Sequence, residues 1–359
     1  MHLAHLRLRN FRNYTRLDAD WSPGFHVLAG ANAQGKTNLL EAIYLLATLR
    51  SFRGIGGAQM IQQGQAGYFV GARIVGVEQH DARIYWSVSR RELTLDRHPV
   101  RRIADYLGVL RAVVFCSEDS QLVKGSGRIR RRFLDLILTQ TRPDYLAWLQ
   151  RYHAALRARN AILKGREIDP DALAGFSAEL VRAGQPLMEA RASLTPRLAE
   201  VARSAYERMA GGGGESLAAT YEPNVRGDLA VALAQSRARD QAYRQTMAGP
   251  HRDELQLALD GRPAAQYGSE GQKRTVALAL KAAQAEYLTL HHGAPPVLLI
   301  DDVMGELDRQ RRGGFIPLLE QVRQARGQVF MTCTEENWPR DLGTDLVRWT
   351  VTAGSLNPS

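Results

Sequence analysis

Two glycines with four residues between them, followed at once by Lys-Thr, stand at Gly30-Ala31-Asn32-Ala33-Gln34-Gly35-Lys36-Thr37. The apolar run Phe25 to Ala29 comes before them, and a helical pattern with Leu39, Leu40, Ile43 and Leu46 on one side follows. A strand that turns through glycines into a helix leaves several backbone N–H groups facing one small space, at the positive end of the new helix dipole. Such a turn cradles an anion. With lysine and threonine at its exit it is a phosphate-binding loop: Lys36 reaches the β/γ-phosphates and the Thr37 hydroxyl serves Mg²⁺. The chain is therefore expected to be α/β and to bind a nucleoside triphosphate.

The 359 residues allow roughly two domains. Met1 to Asn10 mixes Arg and His with Leu and has no apolar h-region, so no signal peptide is expected there. No apolar run approaches the ~20 residues of a spanning helix, and a cytoplasmic protein is the plain expectation. Cys116 and Cys333 each end a strand-like apolar run, which suits buried free thiols rather than a disulfide framework.

Strand candidates lie at Leu3 to Leu8, Arg16 to Trp21, Phe25 to Ala29, Tyr68 to Val77, Arg83 to Ser89 and Leu93 to Leu95. From about Ser126 to Ala210 the pattern is helical, with Leu173, Leu180, Leu187, Leu194 and Val201 recurring every seventh residue. Pro186 and Pro196 fall inside it and predict breaks or kinks. The stripe is expected to pack within its own domain rather than to zip two chains together. Gly211 to Gly214 predict a flexible break, Leu217 to Tyr221 a strand and Leu229 to Tyr243 a helix. α/β alternation then resumes: strand Glu254 to Leu259, helix Gln272 to Leu290, strand Val297 to Ile300, helix Gln310 to Val322, strand Gln328 to Thr332. The reading is a discontinuous head (residues 1–110 and 245–359) split by a helical lobe (111–244).

The formal net charge of +10 is concentrated. Between Lys124 and Arg166 stand eleven Lys/Arg against Asp135 and Asp144, a net of +9. Arg128, Arg130, Arg131, Arg132, Arg151, Arg157, Arg159, Lys164 and Arg166 are candidates to meet DNA phosphates. A solvated helix face, with its acidic partners elsewhere in the fold, is the alternative.

The other half of a nucleotide site is legible further on. Pro296-Val297-Leu298-Leu299-Ile300-Asp301-Asp302 is an apolar strand ending in two acids. Asp301 can order the Mg²⁺ shared with Thr37, and Asp302 is placed to orient or deprotonate the attacking water. Upstream, Ser269-Glu270-Gly271-Gln272 opens a helix and forms a second anion cradle. Downstream come Gly305-Glu306-Leu307-Asp308 and the strand leading to Thr332 and Thr334.

This order of four elements resembles the ATP-binding-cassette superfamily, in particular the heads of the structural-maintenance-of-chromosomes group. The recombination mediators of that group are matched by several strings. These are Leu8-Arg9-Asn10-Phe11-Arg12-Asn13-Tyr14, Ser51-Phe52-Arg53, Val114 to Asp119, Lys124-Gly125-Ser126, Arg130 to Asp135, Gly249-Pro250-His251-Arg252-Asp253 and Asp301-Asp302-Val303. The resemblance implies an ABC-type ATPase head with an inserted helical lobe. It implies ATP and Mg²⁺ as ligands, bound by Gly30 to Thr37 together with Asn38 and Arg53. Ser269, Gly271 and Gln272 would contact, in trans, the γ-phosphate held by a second copy, and Asp308 would lie at the seam of that ATP-dependent homodimer. Thr332 or Thr334 occupies the stretch where transporters carry a switch histidine. The resemblance further implies binding at single-strand/double-strand junctions and RecA-filament loading with the mediator RecR. Hydrolysis would be slow and DNA-stimulated.

Three positions depart from the pattern. Glu270 is acidic where a neutral or basic residue is usual, Gly305 replaces a frequent Ser, and no Gln stands at Ser117-Glu118-Asp119, where Glu118 is the substitute. A DNA-binding scaffold that binds nucleotide but hydrolyses little stays open because of Glu270. His251 is expected to face the core or DNA rather than to act in catalysis.

Overall fold

The computed structural model describes residues 1–211, 214–334, 342 and 345–358. The chain begins with β1 (His2–Phe11), β2 (Tyr14–Asp20) and β3 (Gly24–Ala29), then α1 (Lys36–Thr48). It continues through β4 (Gly67–Val75), β5 (Gln79–Ser87), β6 (Arg91–Leu95), β7 (His98–Pro99) and β8 (Ala112–Phe115). Four helices follow: α2 (Gln121–Lys124), α3 (Gly127–Thr141), α4 (Tyr145–Lys164) and α5 (Pro170–Ala210). Next come β9 (Leu217–Glu222), α6 (Leu229–Tyr243), β10 (Glu254–Leu259), β11 (Arg262–Pro263), α7 (Ala264–Tyr267) and α8 (Glu270–His292). The last are β12 (Val297–Ile300), α9 (Val303–Glu306), α10 (Arg309–Gln324), β13 (Gln328–Cys333), β14 (Leu346–Thr352) and β15 (Ser355–Pro358).

The central sheet runs β15-β14-β3-β13-β12-β8, parallel except at the β15 edge. Its inner strands are buried on both faces: β12 is apolar throughout, while β3 carries the buried His26 and β13 the buried Gln328 and Thr332. Side chains alternate between two cores as the pleat demands. Val113, Phe115, Leu298, Ile300, Val329 and Met331 join the core built with α3–α5, α8 and α10. Ala112, Val114, Val297, Leu299 and Phe330 join the core built with α1 and the antiparallel sheet β2-β1-β4-β5-β6-β7. A third sheet, β11-β10-β9, joins the chain on either side of α6.

Two expectations change here. The boundary at residue 111 falls wrongly, because β8 pairs in parallel with β12 and so belongs to the head's own sheet. The prolines do not break α5: it runs as one 41-residue helix, capped by the Asp169 carboxylate, with Pro170 in its first turn and Gly211 left-handed at its end (φ 78°). Leu173, Leu180, Leu187, Leu194 and Val201 are all buried within this chain's own core. That packing outweighs the hydrogen bond each internal proline removes. The glycine break expected at Gly211 to Gly214 falls partly on residues 212 and 213, outside the described residues. The final hairpin β14–β15 was not anticipated, and it matters for the site. Among the described residues no helix is long and apolar enough to cross a membrane.

Candidate functional site

The phosphate loop leaves β3, Asp301 and Asp302 follow β12, Thr332 lies next to last on β13, and Ser117 lies just after β8. Because β3, β13, β12 and β8 are consecutive neighbours in a parallel sheet, all four segments emerge at one edge. Ligands of open α/β sheets sit at such carboxyl ends.

The loop's backbone is committed to its shape. Gly30 has φ 154°, and a Cβ there would lie 2.5 Å from the Val351 carbonyl oxygen. Gly35 has φ 114°, and a Cβ there would meet the Asn13 side chain at 2.6 Å. Ala33 is left-handed at φ 64°. Ala31, Asn32 and Ala33 form the exposed crest, with Gln34 below it. The buried Lys36 ammonium donates to the carbonyls of Gly30 (2.7 Å) and Ala31 (2.9 Å), which keeps it against the loop.

The loop is braced from two distant parts of the chain. Asn13, in the β1–β2 turn, donates to Gln34 O (2.8 Å) and accepts from Asn38 (2.8 Å), while the Tyr14 hydroxyl donates to Gly35 O (3.1 Å). From the β14–β15 turn, Gly354 N donates to Gln34 O (3.0 Å) and Ala353 N to Gln34 Oε1 (2.7 Å). Arg53 reaches Asn38 Oδ1 at 3.4 Å, which places it beside the loop's helix. Under α1, Arg12 grips the fully buried Glu41 through Nε (2.7 Å) and Nη2 (3.1 Å), and Ser51 donates to the same carboxylate.

Thr37 and Asp301 meet across the sheet: Thr37 Oγ1 donates to Asp301 Oδ1 at 2.8 Å. Thr332, not Thr334, completes the cluster. Its Oγ1 lies 3.0 Å from Asp301 Oδ1 and 3.2 Å from Asp302 Oδ1, and it accepts the Asp302 N–H at 2.8 Å. Asp302 is held left-handed at φ 56°, an uncommon backbone for a non-glycine residue. Burial pushes the Asp301 carboxyl up to about 6; the neighbouring Asp302 and Glu118 charges add to the rise, and the two threonine hydroxyls oppose it. This is a carboxylate short of positive charge. Paired with a threonine oxygen, it has the hard-oxygen chemistry that Mg²⁺ takes alongside phosphates.

The loop after β8 divides its acids. Asp119 turns inward, accepting from Cys116 N (2.9 Å) and facing the buried Lys281 ammonium (3.8 Å). Glu118 stays exposed, and its charge acts on Asp301. Glu306 ties three segments: it accepts from Ser117 Oγ (3.0 Å) and pairs with Arg274 of α8 (3.3 Å).

Ser269 caps α8 reciprocally with Gln272, accepting from Gln272 N (3.2 Å) while Ser269 N donates to Gln272 Oε1 (2.6 Å). Gly271 leaves room for Arg311, whose Nη2 would lie 2.8 Å from any Cβ there. Arg311 pairs with Asp308, the N-cap of α10. Among the described residues, no hydrogen bond joins Ser269, Gly271 or Gln272 to the Gly30–Thr37 loop of the same chain. The unusual Glu270 is not a bare charge: Lys124 binds its carboxylate, and Lys273 stands 3.8 Å away. The Lys124 hydrogen bond holds the Glu270 pKa down.

The nine cations read as DNA contacts separate. Arg159 is 1% exposed and bonds Asp240 (2.7 Å), Ser177 (2.9 Å) and Thr246 (2.8 Å). Arg130 grips Glu254 with two bonds (2.7 and 2.9 Å) and donates to Gly125 O (2.8 Å). Neither is available to a ligand, because both are locked inside the fold by buried or half-buried acids. Arg131 donates to Asp253 O (2.6 Å) and Arg151 to Glu179 (2.7 Å). Arg128, Arg132, Arg157, Lys164 and Arg166 are exposed and pair with no carboxylate among the described residues. His251 faces inward: its Nε2–H donates to Thr246 O (3.1 Å), leaving Nδ1 to accept the Tyr152 hydroxyl (2.6 Å). Burial lowers it to about 4, so the ring is neutral.

A parallel sheet with a phosphate loop, an Asp-Asp strand end, a serine-capped helix and a helical insertion defines an ABC-type ATPase head of the SMC kind. Residues 2–352 match the family described as RecF/RecN/SMC N terminal domain. The DNA replication and repair protein RecF of Symbiobacterium thermophilum is 39% identical over 95% of each chain, and that of Geobacter sulfurreducens 35% over the whole of both. The solved structure of the recombination mediator RecF with ATP, in the RecFOR pathway, superimposes with a TM-score of 0.90, covering 100% of this chain and 97% of that one at 27% identity. The Smc head domain of Pyrococcus furiosus shares the fold alone, at a TM-score of 0.59 and 14% identity. The chain belongs to the RecF family.

Proposed function

We propose that this protein is an ATP-gated DNA clamp: two copies close head to head around two ATP molecules and mark gapped or junction DNA for RecA loading, in concert with RecR. The observation that carries the reading is the Thr37–Asp301–Thr332–Asp302 cluster beside the loop, with Ser269, Gly271 and Gln272 making no hydrogen bond to that loop in their own chain among the described residues. One phosphate cradle is complete on each chain and the other is left to serve a partner. The ATP-bound RecF relative supports the ligand.

In this reading the loop N–H groups and Lys36 bind the β/γ-phosphates. Thr37 and Asp301 would hold Mg²⁺, which neutralises phosphate charge when bound. Asp302, oriented by Thr332, positions the attacking water, and Arg53 offers a cation toward the transferring phosphoryl group. Ser269 and the α8 N-terminus of the partner bind the γ-phosphate, and Asp308 lies at the seam. The nucleotide thereby favours the closed dimer through its differential affinity. Turnover is slow and rises with DNA, since the site is complete only after closure. Neutralisation of Glu270 by Lys124 supports hydrolysis over a silent pocket. Arg128, Arg132, Arg157, Lys164 and Arg166 are the cations left to meet DNA.

Mixing Lys36→Arg with Ser269→Arg chains tests action in trans. Mixed dimers retain one intact composite site and should recover hydrolysis well above the sum of the parents. If mixed dimers form yet only that sum is seen, the two cradles do not share a phosphate.

A further inference from the structure

A cleft of about 460 Å³ lies between the end of α1 and the inserted helices α3, α4 and α5, away from the phosphate loop's edge of the sheet. Its volume is in the range of ligand pockets. Arg50, Arg128, Arg131 and Arg132 line it. Its one carboxylate, Asp135, is already neutralised by Arg191 (2.8 Å) and the Tyr145 hydroxyl (2.5 Å). Arg50, Arg128 and Arg132 are exposed and meet no acid among the described residues; desolvation of the partly covered Arg132 guanidinium, and then the neighbouring Arg50 and Arg128 charges, lower its pKa. Three unneutralised guanidinium groups around one opening ask for an anion.

The interior asks for something else. Leu107, Leu136, Leu146, Leu149 and Leu187 line it, and the polar pair Tyr152–His251 is internally satisfied. Tyr44 and Tyr152 are buried, so they offer no open ring face for a base to stack on. Gln140 also lines the cleft. It is 5% exposed; its Nε2 donates to Leu136 O (3.1 Å), while its buried Oε1 has no hydrogen-bond partner. A buried acceptor without a partner is costly and calls for a donor, which a phosphodiester backbone lacks and a peptide N–H supplies.

We propose that this cleft docks a segment of a partner protein in which acidic residues flank a bulky apolar side chain. The carboxylates pair with Arg50, Arg128 and Arg132, the apolar anchor enters among the leucines, and a backbone N–H reaches Gln140 Oε1. Arg128 and Arg132 are also DNA candidates, so the test must separate the two ligands. The proposal does not depend on the composite ATP site.

Binding of a fluorescein-labelled synthetic peptide, a Leu-Phe pair flanked by glutamates, is measured by anisotropy on the full chain. Replacing the Leu-Phe pair by serines, replacing the glutamates by glutamines, or introducing Arg50→Glu should each weaken binding by about tenfold or more. Leu146→Trp, which fills the cleft, should do the same, with ATP binding retained in both variants. Two results would overturn the proposal: affinity indifferent to the apolar pair, or full displacement of the peptide by oligothymidylate with oligothymidylate binding itself lost in Leu146→Trp. The second outcome would make the cleft a nucleic-acid site.

Discussion

The phosphate loop and the arginine-rich stretch from Lys124 to Arg166 are the two regions most conspicuous in the sequence, and they fold by opposite rules. In the loop, a strand, a glycine turn and a helix start form where the residue order places them, because that geometry is local. In the arginine stretch, identical side chains take unrelated fates. Arg157 and Arg159 are two residues apart on α4, yet one is exposed and the other is sealed against Asp240. Arg130 supports β10 through Glu254 while its neighbour-but-one Arg132 faces solvent. Net charge in a segment therefore overstates its electrostatic footprint whenever acids from elsewhere pack against it.

The contrast can be broken experimentally. The largest effect belongs to the loop: Lys36→Ala should lower ATP hydrolysis by about 10²–10³-fold or more, as loss of a key phosphate-stabilising charge does. Thr332→Val, which leaves Thr37 and both carboxylates in place but removes the hydroxyl that Asp301 and Asp302 share, should cost about 10–100-fold in turnover, with a stability loss of about 1–3 kcal/mol in urea titration because the Asp302 N–H loses its acceptor. Next come the arginines. Arg159→Ala should destabilise the fold by about 3–5 kcal/mol in urea titration by leaving Asp240 buried and unpaired, whereas Arg157→Ala should stay within about 0.5 kcal/mol. DNA affinity should respond in reverse, with Arg157→Glu weakening binding and flattening its salt dependence. Equal stability losses at both positions would erase the distinction.

Two smaller effects sharpen the picture. Asp301 carries a folded-state pKa of about 6, above the ordinary 3.8. In the nucleotide-free protein the folded state therefore holds a proton that the unfolded chain releases. Its stabilising contribution is complete below about pH 4 and is lost as pH rises through about 6. Asp301→Asn should flatten the stability profile across that window, read by thermal melts in metal-free buffer. The smallest effect is at the signature turn: Lys124→Met should weaken ATP-driven dimerisation by about two- to fivefold, and adding Glu270→Gln should restore it, as sedimentation would register.

Much of the site was legible from residue order. Gly30 to Thr37, Ser269 to Gln272 and Asp301-Asp302 each combine a local conformation with a side-chain chemistry, so short windows suffice. The support was less visible. Asn13 and the Ala353-Gly354 turn brace the loop from positions far apart in the chain, and nothing in their local composition marks a phosphate site. The sequence placed Thr332 and Thr334 only in the stretch where transporters carry a switch histidine; that the Thr332 hydroxyl meets Asp301 follows from how β13 pairs beside β12. The proline signal in α5 misled for a related reason: propensity is a local quantity, and the buried seven-residue stripe overrode it.

What this amino-acid order determined unaided was the local course of the glycine loop and the periodicities of the strands and helices around it, since both arise from near neighbours along the backbone. Which hydroxyl meets Asp301, which arginines reach solvent and whether Glu270 carries a bare charge were decided only by tertiary packing. Burial and ion pairing depend on groups brought together from remote segments, and those distances exist only once the sheet has formed.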